Sequence, residues 1–273
     1  MQLETLSGRG SARPVDSYRP PAIGQNQDVR QLLSDWPLTS DGRFGCYLIA
    51  DSSPYSDIAR GVECGVFQRF FGNDPEVMVA EYGEYEAQSS FFFVVDRERE
   101  QAAGALRVIA NSIHGLKTLN DIAREPLSLP LDRVIVDHGI YDLDKCWDVG
   151  TLAVLDDYRG KTTGYLVSTI LYGLLREEIL RIGLEHLVAV LDCHAYRQLV
   201  EALGVPFVPI SGSGPFPYLG SARSIAAYAP VPRILPSMEA HMDRLDSNIA
   251  PLLRPLIERV AHGVGLPPLV RVT

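Results

Sequence analysis

The chain is poor in cysteine, in long apolar runs and in basic residues, and each scarcity removes a class of function. Its four cysteines, Cys46, Cys64, Cys146 and Cys193, are scattered through 273 residues with no C-x-x-C and no paired histidine spacing. Neither a zinc site nor a disulfide framework is expected, and no metal ligand is assigned. The longest apolar runs, Phe91 to Val95 and Leu187 to Leu191, fall far short of the roughly 20 residues that span a bilayer, and the N-terminus carries no apolar signal segment. The expectation is a cytoplasmic protein with no membrane partner. Lys and Arg number 25 against 34 Asp and Glu, for a net charge of −9. Phosphate-backbone affinity comes from clustered basic side chains, so extended nucleic-acid binding is not expected. Any anionic ligand must be held by a local site.

What remains, 46% hydrophobic and 22% charged residues, suits one large core with or without an appendage. Residues 1 to about 40 are rich in Gly, Pro and Ser without periodicity, which predicts a flexible or surface-wrapped arm with no core role. Residues 41–231 alternate strand-like and helix-like segments. Strands are predicted at Phe44 to Asp51, at "SSFFFVVD" and "AAGALRVIA", which form a hairpin through "REREQ", and at "WDVGTLAVL" and "HLVAVLD". Two later strands are expected near Val205 to Ile210 and Ala222 to Ala229. Helices are predicted over Ser56 to Phe71, from about Thr163 to Ile182, and from about His194 to Leu203. Hairpins first and strand-helix-strand units later make a mixed α/β fold. In residues 232–273, apolar residues from Met238 to Val260 recur at steps of three and four, and Pro251 and Pro255 are expected to divide them into two helical pieces. Packing on the core, a dimer contact that would make the protein a homodimer, and a lid over the site are all open for this C-terminal extension.

The stretch "LDDYRGKTTGYLVSTILYG", Leu155 to Gly173, joins basic and small residues to an apolar helix. A P-loop needs a glycine where Leu155 stands, so the triphosphate cradle is incomplete. The other solution is a strand that runs through a loop into a helix, whose free N–H groups and positive dipole end receive a pyrophosphate. Arg159, Gly160, Lys161, Thr162, Thr163 and Gly164 have that composition.

"VGTLAVLDDYRGKTTGYLVSTIL" resembles the cofactor-binding motif of the GNAT acyltransferase superfamily, in which a strand ending in Ala-Val precedes Tyr-Arg-Gly and a glycine-containing loop. "CHAYRQLVEALGVPF" resembles a second signature of that superfamily at Leu199, Gly204 and Phe207, with Val200 where a tyrosine often stands. Upstream, "VFQRFFG", "EYGEYE", "FFFVVD" and "GALRVI" are similar in order and spacing to acyl-homoserine-lactone synthases and related N-acyl-amino-acid synthases, themselves GNAT-like. The resemblance implies a twisted mixed sheet of six to seven strands flanked by helices. It also implies N-acyl transfer by direct attack, from an acyl thioester donor, acyl-CoA favoured, to the amine of a small-molecule acceptor. A carrier-protein or aminoacyl-tRNA donor is an alternative, as is a ligand-binding protein that has kept the fold and lost the chemistry.

The resemblance places the thioester carbonyl and pantetheine against Leu152, Val154 and Leu155, and the pyrophosphate on residues 159 to 164. Arg107 and Tyr196 are expected at the substrate. Acyl transfer to an amine also needs a proton acceptor, for which Asp148 is the first candidate and Glu81 and Glu84 are rivals. Cys193 and His194 do not make a nucleophile pair, because adjacent helical residues point about 100° apart.

Overall fold

The computed structural model describes residues 27–160 and 165–272. Strands β1 (Phe44–Ala50), β2 (Ser89–Asp96), β3 (Gln101–Ala110), β4 (Cys146–Val154), β5 (His186–Asp192), β6 (Val208–Pro209), β7 (Phe216–Tyr218), β8 (Ser221–Pro230) and β9 (Leu269–Val272) form one sheet. Its order is β6-β8-β5-β4-β3-β2-β1-β9, with β7 also on β8. β4 pairs with β5 in parallel, as β1 does with β9, and the other pairings are antiparallel. The mixed α/β expectation holds; the strand count of six to seven is corrected to nine. The two short strands β7 and β9 carry too few residues for a period-2 pattern to register.

Helices are α1 (Gln27–Asp35), α2 (Ser56–Phe71), α3 (Pro75–Tyr82), α4 (Lys117–Ile122), α5 (Leu131–His138), α6 (Leu166–Arg181), α7 (Cys193–Arg197), α8 (Ile234–Asp243) and α9 (Ala250–His262). They cover both faces of the sheet, which explains why β2 is buried at every residue but the half-buried Ser90 instead of alternating. Phe91, Phe93 and Val95 pack with α2 on one face, while Phe92 and Val94 pack with α6 and α9 on the other. α2 ends at Gly72, whose φ of 74° suits a residue without a Cβ. α3 begins where the Asp74 side chain accepts from the Val77 amide and Pro75 opens the first turn. Gly104 on β3 lets α6 approach closely: a Cβ there would lie 2.9 Å from Val167 Cγ1 and 3.0 Å from the Ala153 carbonyl.

The expectation that residues up to about 40 play no core role is corrected for α1, whose Val29 and Leu32 are buried against β1, β2 and α2. The C-terminal extension does form two helices, but the break falls at 244–249, not at the prolines. Pro251 sits in the first turn of α9, where a missing N–H costs nothing, and Pro255 is accommodated within the helix. Met238, Met242, Ile257 and Val260 from these helices join the core against α6, and the chain then adds β9 to the sheet edge. No helix among the described residues is long and apolar enough to cross a membrane.

Candidate active site between β4 and β5

β4 and β5 pair only at Cys146–His186, Trp147–Leu187 and Asp148–Val188, and then separate. The separation starts beside an irregularity in β4. Arg107 of β3 faces Thr151 and Val108 faces Val149, so Gly150 is an extra, bulged residue. The Tyr82 hydroxyl donates to the Gly150 carbonyl at 3.1 Å and braces the bulge. Past the bulge, the Leu155 amide donates to the Ala103 carbonyl at 3.0 Å, toward β3. Backbone groups of an extended strand alternate in direction, so the Leu152 and Val154 amides point the other way, into the gap left by β5. Of the three strand residues assigned to the thioester, Leu155 has its amide bonded to β3, which leaves the Leu152 and Val154 amides as the donors facing the gap.

A cavity of about 260 Å³ occupies this gap and passes through the sheet. On the α2 side its wall includes Phe67, Tyr82, Asp192, Tyr218, Ser221 and Ser224. On the α6 side it includes Tyr172, Arg176, Ile179, Leu187, Ile234 and Val260. Arg159 and His194 also line it. Asp192 is the only carboxylate in the described wall. It ends β5, where its Oδ2 accepts from Ser221 Oγ at 2.7 Å and its Oδ1 from the His194 amide at 2.7 Å.

The predicted proton acceptors lie elsewhere. Asp148 is 1% exposed and its carboxylate accepts from the Thr118 hydroxyl at 2.9 Å and from the Thr118 amide, so it anchors α4. Burial pushes its pKa up to about 7, against the pull of those hydrogen bonds. Glu81 is bound to Lys117 Nζ at 2.7 Å, and Glu84 is exposed; neither enters the cavity wall. Lys117 is itself buried, held by Asp121 at 2.7 Å, and it donates to the Tyr218 hydroxyl at 2.9 Å. Through these bonds the polar cluster fixes the Tyr218 ring in the cavity wall.

Arg107 does not face the cavity. It is 0% exposed, with Nη2 2.6 Å from Glu63 and Nη1 2.7 Å from Glu86, and lies over the Tyr82 and Phe91 rings. Burial works against its charge, and the two carboxylates override it, holding its pKa above the ordinary arginine value. Arg60, also fully buried, shares Glu86, and Thr151 donates to Glu63. Arg107, expected at the substrate, sits inside a buried ion network under β4. Tyr196, also expected at the substrate, donates its hydroxyl to the Phe207 carbonyl at 3.1 Å and is absent from the described wall.

Arg159, expected at the pyrophosphate, is among the residues that line the cavity. It lies 4.0 Å from the centroid of the Phe70 ring, and Gly160 follows with a φ of 58°. Lys161, Thr162, Thr163 and Gly164 lie outside the described residues. Cys193 packs partly against the core, while His194 Nε2 stands 3.1 Å from the Gln198 amide nitrogen. No cysteine nucleophile is assembled among the described residues.

Sequence reasoning did not single out Asp192, Tyr218, Tyr172 or Arg176, which line the cavity. The signal for Asp192 was its place at the carboxyl end of a strand preceding a helix, where open α/β sheets hold ligands. Tyr172 and Arg176 sit within an apolar helical stripe and were read only as part of that helix.

No family model matches the chain, and no curated protein sequence does. Solved structures do. An N-acyl amino acid synthase from uncultured soil microbes aligns with a TM-score of 0.54 at 15% identity, over 75% of this chain and 99% of the other. A CoA-dependent acyl-homoserine lactone synthase, solved with SAM and isopentyl-CoA, aligns with a TM-score of 0.51 at 13% identity, over 84% and 93%.

Proposed function

We propose that this chain, whose fold is that of the GNAT acyltransferases and their acyl-homoserine-lactone and N-acyl-amino-acid synthase relatives, transfers an acyl group from an acyl thioester, acyl-CoA favoured, to the amine of a small molecule. The observation that carries the reading is the cavity through the sheet at the β4/β5 gap, with the Leu152 and Val154 amides directed into it. Donors aimed at the place where negative charge develops are what attack on a thioester carbonyl requires. The amine nitrogen bonds to the carbonyl carbon, the oxygen takes the electron pair and rests on those amides, and the C–S bond then breaks as the carbonyl re-forms.

Two protons must move. The attacking amine loses one, and Asp192 is the carboxylate placed to receive it, directly or through a water. The leaving thiolate gains one. The GNAT tyrosine is replaced by Val200, but the Tyr172 hydroxyl lines the cavity without a hydrogen-bond partner among the described residues, and burial holds its pKa above the ordinary tyrosine value. It would stay protonated until the thiolate forms. Asp148, the sequence-derived candidate for base, is in this reading a positioning residue that holds α4 and the Lys117–Tyr218 pair. The donor's pyrophosphate rests near Arg159 and the start of α6, where the helix dipole favours an anion. Net acidity argues against an acidic carrier protein as donor.

Calorimetric titration with CoA and acyl-CoA, followed by free-thiol release over a panel of small amines, tests the proposal. Binding with thiol release that depends on the amine supports it. Binding without release supports the second reading, a GNAT-fold binding protein, which the loss of the usual tyrosine at Val200 favours. Absence of binding removes acyl-CoA as donor.

A further inference from the structure

On the α6 side of the cavity, half-buried Arg176 shares the lining with apolar residues of several elements: Leu175 and Ile179 on its own helix, Leu187 on β5, and Val260 on α9. Its Nε is buried with no hydrogen-bond partner, and no carboxylate pairs with its guanidinium among the described residues. A cation placed against apolar surface without a partner is unfavourable unless something supplies the opposite charge. Planar guanidinium geometry matches a carboxylate in two parallel hydrogen bonds. We infer that the missing partner comes with the donor, and that the transferred group is the half-thioester of a dicarboxylic acid, its free carboxylate seated on Arg176.

The inference rests on the acyltransferase reading and adds the class of acyl group. Position decides which part of the reactants carries the charge. Arg176 lies ten residues beyond Leu166, the first residue of α6, or roughly 15 Å at about 1.5 Å per residue, too far along the helix to serve the pyrophosphate end. In that reading the acceptor amine lies beside Asp192, with Tyr218, Ser221 and Ser224, and Arg176 lines the opposite side, which is left for the acyl chain once the carbonyl rests on β4. Its apolar surroundings suit methylene groups between the thioester and the charge.

Glutaryl-CoA and pentanoyl-CoA share a five-carbon chain and differ in the terminal carboxylate, so they probe the site directly. Calorimetry on the full chain is expected to show glutaryl-CoA binding at least tenfold tighter, and Arg176→Met is expected to abolish that preference. The variant is also expected to melt at or above the wild-type temperature, since it removes a charge that has no partner in the ligand-free protein. Equal or tighter binding of pentanoyl-CoA, an unchanged preference in R176M, or a fall of several degrees in its melting temperature each overturns the inference. Thiol release separates it from the transferase reading. Preferential glutaryl-CoA binding without release for any amine keeps the anion site and removes the reaction. Release from pentanoyl-CoA with no preference does the reverse, and no binding of either donor removes both.

Discussion

Replacing Arg107 tests whether the ion network beneath β4 is structural. In Arg107→Met, Glu86 keeps its hydrogen bonds from Arg60, at 2.9 and 2.7 Å, but Glu63, itself 0% exposed, is left with the Thr151 hydroxyl as its described partner. Stranding one member of a buried pair costs about 3–5 kcal/mol. At about 2–4 °C per kcal/mol for a chain of this size, the melting temperature should fall by about 6–20 °C. A second substitution distinguishes lost attraction from stranded charge. Arg107→Met with Glu63→Leu removes both members, and apolar replacement of a buried pair is often close to neutral, so the double variant should recover at least half of the loss. Thermal melts followed by circular dichroism, with donor titration below the transition, measure both effects. A single variant that melts with the wild type while losing donor affinity would refute the argument and return Arg107 to the substrate. A double variant no more stable than the single one would refute the stranded-charge account.

Three further outcomes follow from the geometry. Arg159→Glu should weaken CoA binding at least tenfold, about 1.4 kcal/mol, because it reverses charge at the start of α6; an unchanged dissociation constant removes the phosphate assignment. Asp148 has a pKa of about 7 when folded, above its ordinary value, so the folded state binds the extra proton and loses stability as pH rises from about 4 through 7. Asp148→Asn should therefore gain on wild type across that window and level off above it, and parallel pH profiles of melting temperature would contradict this. Deleting residues 234–273 should lower the melting temperature and cause aggregation, since it uncovers the α6 face and removes β9. A soluble truncated protein that melts with the full chain and turns over faster would make the tail a lid instead.

Most of the scaffold was legible where local chemistry is strong. The continuous apolar run of β2 and the helix ended by Gly72 announced themselves, and β4 and α6 followed from the strand pattern and the 3.6-residue apolar period. What escaped depends on distant partners. "LVRV" becomes β9 only because β1 offers it an edge, and α1 is set in the core by Val29 and Leu32, too short a pattern to read alone. At the site, residue type misled. Arg107 was expected at the substrate, and no local signal said that Glu63, 44 positions earlier, would pair with it. Asp148 was chosen for its strand position, and Thr118 of α4, distant in sequence, occupies its carboxylate.

The parallel pairing of β1 with β9 joins segments about 220 positions apart in the chain. At about 5–20 residues per second of synthesis, β1 waits roughly 10–45 s for the strand that covers its outer side. Throughout that interval its unpaired amides and carbonyls are open to neighbouring nascent chains, as at any bare sheet edge. Hydrogen exchange on stalled nascent chains should show the outer amides of β1 protected only after residues 269–272 have emerged. The edge that β9 closes is thus the last part of the sheet to be completed as the chain is made.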